Sequence, residues 1–167
     1  MLRRIGIIAV LSLIVAAVAA VPALAVGPTS TTRDGGLHFV GQPNATASKT
    51  PTSAVLTATG EVAGAGGGGT ATLSSTAVVT TGCINRGSQG QQPSGLQRQN
   101  TQVTGSAPFT TRNGRGTFTV STNPVTVNRT CPDQMTPVLV GVTFTDVLLT
   151  IQAQTGTITA TFPDIDP

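Results

Sequence analysis

The sequence contains no tryptophan and no tyrosine, a single histidine and two cysteines, and only 9% of its residues are charged. Each shortage excludes a kind of function. Binding of sugars or single-stranded nucleic acid usually rests on aromatic platforms. Here the aromatics are Phe39, Phe109, Phe118, Phe144 and Phe162, and most fall at strand phases expected to face inward. A Ser-His-Asp hydrolase would have to use His38, the one imidazole, and no GxSxG elbow supplies a nucleophile. His38 reads as an ordinary strand histidine. A glycosidase needs a carboxylate pair flanking the sugar, and nothing marks one beside Glu61, the lone glutamate. Asp164 and Asp166 sit in a terminal tail and read as solvent-facing.

Metal and cofactor chemistry is equally short of donors. Cys83 is followed by Ile84-Asn85-Arg86 and Cys131 by Pro132-Asp133-Gln134, so neither begins a CxxC. No calcium loop is present, since that needs several oxygens at fixed spacing. Gly64, Gly66 and Gly69 satisfy GxGxxG, but an alternating strand follows where the dinucleotide fingerprint requires a helix. The glycines read as a turn. The expectation is therefore a non-enzymatic protein with no metal and no cofactor.

What is present begins with an export signal. A basic MLRR precedes the unbroken apolar run Ile5 to Val21, then Pro22 and the small-residue exit Ala23-Leu24-Ala25. That order is a secretory signal peptide cut after Ala25, its apolar run helical and at the lower edge of spanning length. The alternative is an uncleaved membrane anchor. The whole chain carries a net charge of +3, but from Val26 onward seven cations face six acids. The basicity belongs to the targeting signal, so neither nucleic acid nor an anionic membrane is implied as a partner. Membrane contact is expected only through an uncleaved signal segment.

Both cysteines lie in the exported part, so a Cys83–Cys131 disulfide is expected. In the chain-entropy picture it contributes roughly 4 kcal/mol. Asn44-Ala45-Thr46 and Asn128-Arg129-Thr130 are glycosylation sequons. Arg outnumbers Lys eight to one, the bias of a GC-rich bacterial genome, and the sequons read as chance in a Thr-rich chain.

Downstream of the signal no segment shows a 3.6-residue period. Residues 26–36 read as a polar, flexible leader. His38 and Phe39 fall in a short strand, and 42–53, with Pro43 and Pro51, in a loop or edge segment. From Ala54 the pattern has period two. Leu56, Ala58 and Val62 share one face, and Ala71, Leu73, Ala77 and Val79 another, with the glycine run as the turn between these strands. Asn113 to Gly116 signals a second turn, and Phe118 and Val120 point inward. Val125 and Val127 lead towards Cys131. Val140, Val142 and Phe144 alternate, then the phase slips to Val147, Leu149, Ile151 and Ala153, which predicts a bulge or bend at Thr145-Asp146. Ile158, Ala160 and Phe162 close the core. Seven to nine short strands punctuated by turn signals predict one antiparallel β-sandwich over 37–167, Ig-like in architecture only, because the Trp and Tyr hallmarks are missing. A small β-barrel is the alternative.

One stretch breaks the alternation. After Cys83, residues 87–102 are polar and read as a loop, whose long hydrogen-bonding side chains form a candidate interaction surface: Arg86, Gln89, Gln91, Gln92, Gln97 and Arg98, with Gln99 beside them.

Taken together, HFVG, LTATGEVAGAG, TTGCINRG and TPVLVGVTFTDVLLTI resemble a group of small secreted actinobacterial proteins with no assigned function. That resemblance implies export, one disulfide and a β-rich fold. In composition the chain is also similar to the apoproteins of enediyne antibiotics, Ig-like sandwiches with a hydrophobic ligand cleft. Those usually carry two disulfides, and no binding residue transfers. The reading is a secreted extracellular or cell-envelope structural or binding module. The alternatives are a carrier of a small apolar ligand, an inhibitor or adhesion module with a protruding loop at 87–102, and an exported hydrolase.

Overall fold

The structure, a computed structural model, describes residues 24–85 and 92–167. The proposed signal segment lies almost wholly outside these residues, and among those described no helix is long and apolar enough to cross a membrane. The elements are β1 (Ser30–Thr31), β2 (His38–Phe39), β3 (Asn44–Lys49), β4 (Ser53–Ala63), β5 (Gly68–Asn85), β6 (Ser94–Thr110), β7 (Arg115–Ser121), β8 (Val125–Thr126), β9 (Met135–Ala153) and β10 (Gly156–Thr161).

They form two antiparallel sheets packed face to face as a β-sandwich, not a closed barrel. The larger sheet runs β1-β10-β9-β5-β6. In the smaller, β4 is central, with β2 and β3 along one side and β7 and β8 along the other. The period-two residues build the core between them. Leu56, Ala58 and Val62 face Leu73, Ala77, Val79, Phe144 and Leu149, all buried. Four of the five phenylalanines belong to this core, and Phe39 packs against it. Thr and Val suit these strands because branching at Cβ fits a pleated surface.

Cys83 and Cys131 are bonded, with Cα atoms 5.9 Å apart. The expected slip in β9 is also present. Ser74 pairs with Leu148 and Thr76 with Thr145, so Ser75 opposes both Asp146 and Val147. Asp146 takes a positive φ of 52°, and the Ser75 hydroxyl donates to the Thr145 carbonyl at 2.8 Å.

The structure corrects four expectations. The glycine run is not a hairpin turn, because β4 and β5 lie in different sheets; it is a crossover, with Ala65 buried inside it. Val140 is not a core residue in phase with Val142. A second register shift, between Thr80 and Thr81, skips Val140 and buries Leu139 instead. The segment 26–36 is not a loose leader. Val26 and Ala45 exchange backbone hydrogen bonds of 2.9 Å, and β1 pairs with β10. Finally, residues 94–102 are not loop. They are the first half of β6, in ladder with β5 from Cys83–Ser94 to Gly68–Thr110. Alternation missed this strand because residues 94–102 are exposed on both faces.

Candidate functional site

The predicted interaction residues that the structure describes do not converge on one surface. Arg86, Gln89 and Gln91 lie outside the described residues. Gln92 is exposed just ahead of β6. Gln97 and Arg98 are neighbours on β6, opposite Thr81 and Thr80. Successive strand residues point to opposite faces, so these two side chains serve different surfaces.

The inward face of β6 is marked by Val103 and Phe109, both buried. Gln97, Gln99 and Thr101 share their phase but are exposed, because the smaller sheet does not extend over them. The result is a cleft of about 390 Å³ between the sheets. One wall is Gln99 to Thr104, and the other is the segment from Asn123 to Asn128. Amides and hydroxyls dominate the rim, and Val103, Pro124 and Val125 form a small apolar floor. Such a surface offers paired donors and acceptors but no charge.

A corner at Thr122-Asn123 holds the cleft in place. The Thr122 N–H donates to the Leu56 carbonyl at 2.9 Å, and the Thr122 hydroxyl accepts from the Leu56 N–H at 3.3 Å. The next residue turns to the other sheet, and the Asn123 N–H donates to the Thr104 carbonyl at 2.9 Å. Two adjacent residues therefore tie β4 to β6. Arg129 braces the far end, donating to the Thr81 carbonyl at 3.1 Å.

The outward face of β6 joins a Thr-rich surface. Thr72 and Ser106 hydroxyls meet at 2.9 Å, and Gln102 donates to the Thr76 hydroxyl at 2.8 Å. Arg98 lines a shallow depression of about 420 Å³ with Lys49, Thr143 and Asp166. Three of these polar side chains are already engaged: Lys49 donates to the Val140 carbonyl at 2.9 Å, and Thr143 to the Asp166 carboxylate at 2.6 Å.

His38, the residue any hydrolytic triad would need, has its Nδ1 2.8 Å from the Gly36 carbonyl. No carboxylate or hydroxyl is bonded to it among the described residues. Glu61 is paired with Arg115 at 3.2 Å. Among the described residues no three His, Cys, Asp or Glu side chains gather where they could hold a metal ion.

Sequence reasoning missed Thr101, Asn123 and Asn128. The first sits in a strand polar on both faces, and the others follow a strand of the opposite sheet, so only the fold brings them together. No protein-family model, curated protein or solved structure matches the chain.

Proposed function

We propose that the protein is a secreted, non-enzymatic binding module of the extracellular space or cell envelope, and that it recognises a neutral, hydrogen-bonding ligand in the cleft between β6 and the Asn123–Asn128 segment. The observation that carries this reading is the cleft itself: an opening of about 390 Å³ lined by Gln99, Thr101, Asn123 and Asn128 above a small apolar floor. Clefts with a few placed polar groups over apolar surface are the usual form of small-ligand sites. An amide-rich rim suits hydroxyl or peptide groups better than hydrocarbon, which weighs against an apolar carrier. The engagement of His38 with a backbone carbonyl weighs against a hydrolase. The disulfide supports an oxidising, extracytoplasmic setting.

The test is a titration of isotope-labelled protein with soluble peptides released from the producer's envelope. Amide shifts should concentrate on residues 99–104 and 123–128. Gln99→Ala combined with Asn123→Ala should abolish them while the fold persists. Shifts absent, or spread evenly over both sheets, would rule the reading out.

A further inference from the structure

The free edge of β6, whose residues 99–104 also form one wall of the cleft, carries a second inference that rests on its backbone groups. In a strand, the N–H and C=O of one residue point to the same side. Two observations fix which residues of β6 point away from β5. The Thr104 carbonyl accepts from Asn123, off the ladder, and Pro108, which has no N–H to give, occupies an even position. Arg98, Asn100 and Gln102 share that phase, so their N–H and C=O groups face outward. No backbone partner meets these groups among the described residues.

The edges of β3, β7 and the second half of β6 are guarded in the ways sheet proteins use against edge-to-edge pairing. β3 is flanked by Pro43 and Pro51, ends in Lys49 and is bridged by Val26. β7 begins at Arg115 and is followed by Pro124. The second half of β6 contains Pro108 and lies close under β7, where a Cβ on Gly105 would stand 1.8 Å from the Ser121 carbonyl oxygen. From Gln97 to Val103 there is no proline, no lysine and no register shift, and Arg98 is the sole charge.

We propose that this stretch pairs with the same stretch of a second copy, antiparallel about Asn100, joining two large sheets into one. The sequence is self-complementary in that register. Asn100 meets Asn100, and Arg98 meets Gln102 on each side, so no like charges oppose. Each of the three residue pairs exchanges two backbone hydrogen bonds, and the amide side chains add cross-strand bonds. The exported chain has nearly balanced charge, which leaves little long-range repulsion. The pairing sets the two polar clefts side by side.

The experiment is sedimentation equilibrium of the exported, disulfide-bonded chain. Wild type dimerises. Asn100→Pro removes an outward N–H without touching the β5 ladder and weakens the dimer at least about tenfold. Asn100→Lys and Asn100→Asp each weaken it likewise, since each places a charge against itself, and an equimolar mixture of the two restores a heterodimer. Overturning results are a wild type that stays monomeric up to its solubility limit, or a dimer that Asn100→Pro leaves intact. A mixture no tighter than its components would also overturn it, as would a monomer whose β6 edge takes up an extended segment of another protein.

Discussion

Phe118 occupies the space that a side chain at Gly60 would need. The two are directly opposed in the β4–β7 ladder, and a Cβ on Gly60 would lie 2.7 Å from the tip of the ring. The ring is held between Phe39 and Phe109, with centroids 6.4 Å away on each side. Gly60 does not adopt a positive φ, so its role is to leave room. Gly60→Ala should therefore destabilise by overpacking, by about 1–3 kcal/mol. Phe118→Ala should cost about 3–5 kcal/mol through the cavity it leaves. Gly60→Ala with Phe118→Leu should cost less than the sum, because the shorter side chain relieves the clash. Urea unfolding of the three variants tests this, and strict additivity would contradict it.

The Cys83–Cys131 bond closes a loop spanning 48 positions. It ties the end of β5 to the segment that carries Arg129 and the far wall of the cleft. The chain-entropy model gives about 4 kcal/mol for such a loop, a large part of an ordinary domain stability of about 5–15 kcal/mol. Cys83→Ala with Cys131→Ala should lower the urea midpoint by a corresponding amount, and reductant should then have no further effect. Because Cys83 is buried, the native bond should resist mild reduction until the domain opens. Rapid reduction under native conditions would show that this end of the sandwich is loose.

Asp146 sits at the β9 bulge with φ of 52°, a conformation that Asp tolerates and β-branched residues do not. Its side chain is exposed and accepts only long hydrogen bonds, 3.4 Å from Thr76 and 3.5 Å from Thr145. Asp146→Gly should thus stay within about 1 kcal/mol of wild type, and Asp146→Val should cost about 1–2 kcal/mol. Thermal unfolding compares them. Equal stability of the Val variant would mean that the bulge shifts along the strand instead of holding its place.

How far the fold could be read from sequence depended on whether each strand had one buried face. In β4, β5 and β9 the buried residues repeat at period two, so Leu56, Val79 and Leu149 were legible as core, and the slip in β9 could be placed at Thr145-Asp146. The shift at Val140 was not, because Leu139 and Val140 are both apolar and either could face inward. The first half of β6 was invisible for the opposite reason. From Gln97 to Gln102 both faces are polar, and what makes it a strand is its ladder to β5, which no local pattern records. The cleft shares that difficulty: Gln99 was singled out for its side chain, but Asn123 faces it only because Thr122-Asn123 crosses between sheets.

That corner yields the last prediction. Gly105 lies against it, and a Cβ there would come within 1.8 Å of the Ser121 carbonyl oxygen and 2.9 Å of the Thr122 Cα. Backbone atoms cannot rotate aside as a flexible side chain would. Gly105→Ala should push β6 away from the corner, break the Asn123–Thr104 hydrogen bond and widen the cleft, at a cost of about 1–3 kcal/mol. Thr122→Val acts on the other arm. It removes the hydroxyl that accepts from Leu56 and should cost about 1–3 kcal/mol, with the Asn123 bond retained. Hydrogen exchange separates the two: the Asn123 amide should lose protection in Gly105→Ala and keep it in Thr122→Val, while the Leu56 amide should do the reverse. If Asn123 stays protected in Gly105→Ala, β6 is not positioned by this contact, and the cleft width is set by the β5 ladder alone.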